Sequence, residues 1–169
     1  MSEHHDGDQF VTLGLDHEIF AVPVALVREI LEMRQPFRIP EAPAHLAGLI
    51  DVRGQAVPVI DLRLKLGLPA CDAGADTRIL VLDVPVGERS LSLGLIADRV
   101  FEVTPLDPGS VAPPPEIGSA WRCDTISGIG RRANKFVAIF DLARLLSSDD
   151  AMLLHATGPG AALPAMTEA

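Results

Sequence analysis

The sequence predicts a mostly β protein folded as two small, packed β-barrels, and two observations carry this prediction. Short segments rich in Val, Ile, Leu and Phe recur between turn signals along the 169 residues. This pattern is typical of strands rather than helices. The chain also contains an internal repeat, and closing each copy into a barrel hides the strand edges that an open sheet would expose.

Four hairpins are predicted, each from two apolar runs around a turn. In chain order the runs are FVTLGL and EIFAV around Asp16 and His17, GLIDV and QAVPVI around Arg53 and Gly54, RILVLDV and SLSLGLIA around residues 85–89, and SGIG and KFVAIF around residues 131–134. Hairpins in this succession predict a meander. Pro58 lacks an amide hydrogen, so it predicts an edge or a bulge within its strand.

Short capped helices are predicted after two of the hairpins. Asp61 is placed to cap LRLKL, because its carboxylate can accept hydrogen bonds from the first amides of a helix, and Gly67 can end that helix. Asp141 is placed in the same way before LARLL, and a last amphipathic piece, AMLL, follows Asp150.

The internal repeat relates the two halves of the chain. GLIDVRGQAVPVIDLRLKL from Gly48 aligns without a gap over GIGRRANKFVAIFDLARLL from Gly128, so that Asp61 meets Asp141, an offset of 141 − 61 = 80. Upstream, the pattern V-x-E-[IV] occurs at residues 27–30 and again at 100–103, an offset of 100 − 27 = 73. The sequence therefore predicts two copies of one unit, each of several strands followed by one capped helix.

Composition argues against several classes of function. The formal charge of −9 repels phosphate backbones, and the basic cluster Arg131, Arg132 and Lys135 has no interleaved aromatic residues, so it is interpreted as a solvated turn. Cys71 and Cys123 have no ligand or disulfide spacing. The N-terminus is acidic and the apolar runs are too short to span a bilayer, so a cytoplasmic protein without membrane insertion is expected.

Catalytic and cofactor motifs are weak or missing. Residues 128–133 satisfy G-x-G-x-x-A, but a strand pattern follows where a dinucleotide site needs a helix, so we interpret them as part of a hairpin. The five histidines have no metal-ligand spacing, and His4 and His5 are interpreted as a disordered terminal pair. We expect no catalytic residue, metal or cofactor. The alternative is a small β-barrel enzyme that uses Asp51, Asp61 or His45 as acid and base.

The residues around the Arg53-Gly54 turn resemble the CheW family of chemotaxis coupling proteins. The run AGLIDVRG, continuing AVPVIDLR, resembles the family core G-x-x-N-x-R-G-x-x-[VI]-P-[VI]-[VI]-D-L-R, with Asp51 where the family usually has Asn. FVTLGLDHEIFAVPVALVREI resembles the family's opening hairpin and V-x-E-I segment, RIPEAPAHLAGL its proline-bearing lead-in, and SLGLIADRVFEV its G-[LI]-[IV]-x-D-x-V stretch. The resemblance extends from Phe10 to His155.

The resemblance implies a fold, a role and a set of contact residues. The fold is a pair of SH3-like five-stranded barrels. The role is a non-catalytic adaptor that couples the cytoplasmic tip of a methyl-accepting chemoreceptor to the regulatory domain of a CheA-like histidine kinase, at the inner face of the membrane. The positions carried over as partner contacts are Val27, Glu29, Gly48, Arg53 and Gly54, with Arg53 as the anchor.

The expected domain limits follow the resemblance. Residues 1–9 are expected to be a disordered N-terminus, residues 10–155 one CheW-like domain of two intertwined barrels, and residues 156–169 a disordered tail poor in large apolar groups. Two alternatives stay open beside the chemotaxis adaptor: an adaptor of the same fold in a parallel chemosensory pathway that controls surface behaviour or second-messenger output, and the small enzyme.

Overall fold

The structure is a computed structural model that describes residues 8–114 and 125–146. Ten strands and two short helices follow one another along the chain: β1 (Gln9–Leu15), β2 (Glu18–Pro23), β3 (Val27–Glu32), β4 (Leu46–Val52), β5 (Gln55–Asp61), α1 (Leu62–Lys65), β6 (Arg78–Val86), β7 (Arg89–Ala97), β8 (Arg99–Pro105), β9 (Ile126–Arg132), β10 (Lys135–Phe140) and α2 (Leu142–Leu145). One turn of 3-10 helix, Val24–Leu26, joins β2 to β3.

The strands form two five-stranded sheets with the same topology. The first, barrel 1, has the order β8-β1-β2-β10-β9, and the second, barrel 2, has the order β3-β6-β7-β5-β4. Each repeat contributes a hairpin to one barrel and three strands to the other. β1 and β2 pair with β8 and β10 of the second repeat, while β6 and β7 pair with β3 and β5 of the first. The two repeats are therefore intertwined.

This topology corrects the predicted meander. All four hairpins form, but β2 pairs in parallel with β10, and β5 pairs in parallel with β7, so neighbours in space are not always neighbours in sequence. The turns are also tighter than expected, because Pro85 is paired within β6 and Arg131 within β9. Local turn signals fix hairpins, whereas pairing between distant strands depends on the packing of the whole domain.

A short backbone bridge closes each sheet into a barrel. In barrel 2 the Phe37 amide donates to the Leu49 carbonyl, and the Leu49 amide donates to the Phe37 carbonyl, both at 2.8 Å. In barrel 1, Ala112 and Ile129 exchange the same pair of hydrogen bonds at 2.9 and 2.8 Å. The chain that leaves β3 or β8 thus returns to pair with β4 or β9.

Three apolar clusters form among the residues that the structure describes. Two small clusters draw on one barrel each: the first includes Val57 and Ile79 of barrel 2, and the second includes Phe10 and Ile139 of barrel 1. The largest draws on both barrels and both helices, with Leu13, Leu82 and Phe140 among its buried members. It lies between the barrels and joins them, since burial of apolar side chains is the main favourable term in folding.

The helix caps confirm the predicted helix starts. Oδ1 of Asp61 accepts hydrogen bonds from the amides of Arg63 at 3.0 Å and Leu64 at 3.4 Å, and Oδ1 of Asp141 accepts one from the Arg144 amide at 3.2 Å. Gly67 follows α1 with a φ of +80°, as a helix end requires. The predicted AMLL helix, both predicted disordered ends and Cys123 lie outside the described residues, whereas Cys71 is an exposed free thiol.

Pro58 was predicted to mark an edge or a bulge, where a partner strand is absent; the edge is wrong, but a partner strand is indeed absent on one side of Pro58. β5 lies inside the sheet order of barrel 2, between β7 and β4. Pro58 pairs with Leu49 on β4, and the ladder with β7 begins only at Val59. The Pro58 nitrogen, which carries no hydrogen, therefore lies next to a stretch where β5 and β7 are not paired. No ladder hydrogen bond is lost there, so the interior strand can contain a proline.

Candidate functional site

The candidate site begins at the two-residue turn between β4 and β5. Arg53 and Gly54 both have positive φ, +53° and +86°, which is the conformation of a type I′ hairpin turn. Glycine adopts this conformation without strain. The turn projects the Arg53 side chain into solvent, where 76% of its surface is exposed.

An ion pair links this turn to β3. Nε of Arg53 donates to Oε2 of Glu29 at 3.2 Å, although the two residues are 24 positions apart. Only 23% of the Glu29 side chain is exposed. An exposed ion pair contributes little to folding, but it holds the guanidinium in one place while its terminal nitrogens remain open to solvent. A positioned, planar set of donors is suited to bind a carboxylate or a main-chain carbonyl of a partner.

Val27 lies on β3 two residues before Glu29. Its side chain is half-buried and packs against the large cluster between the barrels. Exposure alternates along β3, from Val27 to Glu32, between half-buried and exposed residues. Val27, Glu29, Arg53 and Gly54 thus belong to two elements of barrel 2 that the ion pair brings together.

Gly48 occupies a different position from the other predicted contact residues. It is buried in β4 with a φ of +144°, and a Cβ atom there would overlap the Phe37 carbonyl oxygen. The missing side chain lets the backbone of Phe37 reach β4 and close the barrel. The geometry thus gives Gly48 a structural task beneath the exposed Phe37 ring, and a direct partner contact at Gly48 stays a prediction.

Barrel 1 carries a counterpart of the ion pair that sequence reasoning missed. Nε of Arg132 lies 3.7 Å from Oε2 of Glu102, and Glu102 is the repeat equivalent of Glu29. The type I′ turn is also repeated, since Ala133 and Asn134 have φ values of +53° and +66°. The alignment places Ala133 opposite Arg53, so the arginine is shifted by one residue. The sequence signal that could have predicted this second ion pair is the repeat of the V-x-E pattern together with a basic residue at each of the two equivalent turns.

A second ion network lies where the chain crosses from barrel 2 to barrel 1. Arg63 in α1 donates from Nε to Oδ1 of Asp98 at 3.0 Å and from Nη2 to Oδ2 at 2.9 Å, and the Asp16 amide donates to the same carboxylate at 2.7 Å. Burial alone would raise the pKa of Asp98. The hydrogen bonds from Arg63 and the Asp16 amide, with the charges of Arg63 and Arg99, outweigh burial and lower that pKa.

Among the residues proposed for an enzyme site, Asp61 has a structural task. None of them belongs to a cluster of metal-binding side chains within the described residues. The Asp61 carboxylate caps α1, and the Asp61 amide donates to the His45 carbonyl at 2.8 Å. Asp51 is exposed on β4, next to buried Val52. Within residues 8–114 and 125–146, no three His, Cys, Asp or Glu side chains gather to hold a metal ion. None of the helices in these ranges is long and apolar enough to cross a membrane.

Comparison with known proteins gives one consistent family. The family model of the CheW-like domain matches residues 9–150. Chemotaxis protein CheW of Klebsiella aerogenes is 28% identical over 148 residues, covering 88% of this chain and 87% of that protein. Chemotaxis protein CheW of Helicobacter pylori is 31% identical over 141 residues, covering 83% and 82%. The crystal structure of the scaffolding protein TtCheW from Thermoanaerobacter tengcongensis superposes with a TM-score of 0.74 at 29% identity, covering 85% of this chain and 94% of that one.

Proposed function

Because the chain belongs to the CheW-like family, we propose that it is a non-catalytic chemotaxis adaptor that couples a methyl-accepting chemoreceptor to a CheA-like histidine kinase. Similarity over most of its length to proteins named as chemotaxis and scaffolding proteins supports this role. The intertwined, SH3-like barrels also suit a scaffold. They form one body with a shared core, so partners bound at different places are held at a fixed distance.

We propose that the receptor's helical hairpin docks in the groove between the barrels and that the kinase packs against a barrel end. Exposed apolar residues at equivalent places in the two repeats are candidates for partner contacts. Ile30 on β3 is 41% exposed and Val103 on β8 is 51% exposed, and their numbers differ by the repeat offset, 103 − 30 = 73. Large apolar side chains that remain exposed on a folded monomer commonly mark protein interfaces.

The observation that carries the proposal at residue level is the Arg53–Glu29 pair. It positions a largely exposed arginine side chain, and an arginine that loses its water on binding is a common energetic centre of an interface. We assign Arg53 as the anchor and Glu29 as the residue that positions it. In this proposal the protein works in the cytoplasm and reaches the inner face of the membrane through the receptor.

The test is the affinity of Arg53→Ala for the receptor's cytoplasmic fragment and the kinase's regulatory domain, both from the same organism. Loss of a binding centre costs about 2 kcal/mol or more, which is roughly a thirtyfold weaker Kd. Arg132→Ala is the matched control, because it removes the equivalent ion pair of barrel 1. If Arg53→Ala binds both partners within about twofold of the wild type, Arg53 is only a turn residue.

A further inference from the structure

One residue, Asp98, connects β7 of barrel 2 to β8 of barrel 1. The backbone angles of Asp98 therefore set the direction in which the chain leaves one barrel and enters the other. Barrel 1 holds this residue through its first hairpin: the Asp98 amide donates to the Gly14 carbonyl at 3.0 Å, and the Asp16 amide donates to the Asp98 carboxylate at 2.7 Å. A connection this short can act as a hinge between packed units, so the contacts that hold it determine whether it turns.

Barrel 2 holds the same carboxylate through Arg63 on α1, a helix that packs against β5 and β7. Arg63 donates to both carboxylate oxygens of Asp98, from Nε at 3.0 Å and from Nη2 at 2.9 Å, and Nη2 also lies 3.4 Å from Oδ1 of Asp16. Its remaining nitrogen, Nη1, donates to the Pro69 carbonyl at 2.9 Å. Only 13% of the Arg63 side chain is exposed. The guanidinium therefore links barrel 2 to the first hairpin of barrel 1 with little access to water.

The repeat does not reproduce this ion pair where the chain first crosses between the barrels. That crossing, between β2 and β3, is the 3-10 turn Val24–Leu26. At the two repeat offsets, Arg63 corresponds to Ala143 (63 + 80 = 143) and Asp98 corresponds to Ala25 (98 − 73 = 25). An alanine side chain cannot form an ion pair. The contact between Arg63 and Asp98 therefore belongs to one of the two crossings and is not a general consequence of the fold.

The shared core and the ion pair resist different movements of the barrels. The large apolar cluster joins them, but the hydrophobic effect has no preferred direction. A planar guanidinium that donates two hydrogen bonds to one carboxylate adds geometric specificity to the attraction between the charges. The core therefore resists separation of the barrels, whereas the ion pair resists their rotation about the connection at Asp98.

We propose that Arg63 is a positioning residue of the adaptor, which fixes the orientation of barrel 1 relative to barrel 2 by holding Asp98. In the proposed arrangement the receptor docks in the groove between the barrels, so the shape of its site depends on this orientation. The kinase packs against the end of one barrel, so its site does not. Arg63 thus acts on receptor docking without contacting the receptor. This consequence rests on the proposed adaptor role, whereas the orientation of the barrels does not.

The first experiment measures residual dipolar couplings of the backbone amides in the isotope-labelled full chain. In the wild type, the couplings from both barrels should fit one alignment tensor. In Arg63→Met, the two barrels should require different tensors. The double variant Arg63→Met with Asp98→Asn should behave in the same way, and it leaves no unpaired carboxylate that would cost stability. Arg144→Met is the matched control, because it removes an arginine–aspartate pair of 3.8 Å that lies within the equivalent helix, α2, and its cap.

These couplings separate orientation from stability, because a folded variant with a merely weaker core keeps one tensor. The proposal is overturned if one tensor fits both barrels in both Arg63→Met proteins. It is also overturned if the wild type already requires two tensors, since the ion pair then does not fix the barrels. The same difference between the barrels in Arg144→Met would show that the loss of any arginine at a helix has this effect.

The second experiment measures the Kd of Arg63→Met for the receptor's cytoplasmic fragment and for the kinase's regulatory domain. The receptor should bind about three to ten times more weakly, because the apparent Kd rises as the fraction of molecules with the competent orientation falls. The kinase domain and the Arg144→Met control should stay within about twofold of the wild type.

Two results of the binding experiment overturn the positioning role. One is an unchanged receptor affinity in a variant whose barrels have turned, and the other is an equal loss of affinity for both partners. If the wild type binds neither protein, the proposed adaptor role fails, and with it the consequence for receptor docking. The dipolar couplings then still decide whether Arg63 fixes the orientation of the barrels.

Discussion

Gly48→Ala is predicted to destabilise the fold because the new methyl group would occupy the place of the Phe37 carbonyl oxygen. To relieve the overlap, Phe37 must move away from β4, which breaks the two backbone hydrogen bonds that close barrel 2. Each bond contributes about 1 kcal/mol. Alanine at a φ of +144° adds a strain of roughly 1–3 kcal/mol. The predicted loss of unfolding free energy is therefore about 3–5 kcal/mol.

Urea unfolding followed by circular dichroism measures this loss, with Gly128→Ala as the matched control. Gly128 holds the equivalent place in barrel 1, but a Cβ atom there would lie 3.1 Å from the Ala112 carbonyl oxygen and its φ is not in the left-handed region. A shift of a few tenths of an ångström relieves that contact, so the expected loss is about 1 kcal/mol. Equal losses in the two variants, or a Gly48→Ala protein as stable as the wild type, would refute the reasoning about barrel closure.

Two further predictions concern the ion network and the helix caps. The lowered pKa of Asp98 means that its contribution to stability is fully present above the unfolded-state pKa of about 4 and is lost as the pH falls through the lower folded-state pKa. Asp98→Asn should therefore be less stable than the wild type at neutral pH and should lose less stability on acidification, as thermal unfolding from pH 7 to pH 3 will measure; parallel pH profiles would contradict this. Asp61→Ala should cost about 1 kcal/mol of unfolding free energy, because two amides at the start of α1 lose their acceptor, and an unchanged urea midpoint would show that the cap does not matter.

Sequence reasoning predicted the local structure well because the local signals are strong. The turns at Asp16 and at Arg53-Gly54, and the caps at Asp61 and Asp141, depend on residues within a few positions of one another. The strand pairings could not be predicted in the same way. β2 and β10 are more than a hundred residues apart, and nothing in EIFAV or KFVAIF states that they pair, or that they pair in parallel.

The candidate site was predictable in part. The Arg53 turn and the V-x-E pattern were visible as motifs, but the contact between Arg53 and Glu29 exists only because β3 and β4 belong to one barrel. Gly48 illustrates the limit of motif reasoning: its presence in the motif says that it matters, and only the path of Phe37 shows the reason.

The central claim is that the chain bridges two partners, and sedimentation of receptor-bearing membranes with purified kinase tests it most directly. The amount of kinase in the pellet is measured with the wild type, with Arg53→Ala, and without the chain. We predict that kinase sediments with the membranes in the presence of the wild type, much less with Arg53→Ala, and not without the chain. If the same amount of kinase sediments whether or not the chain is present, the adaptor role is contradicted.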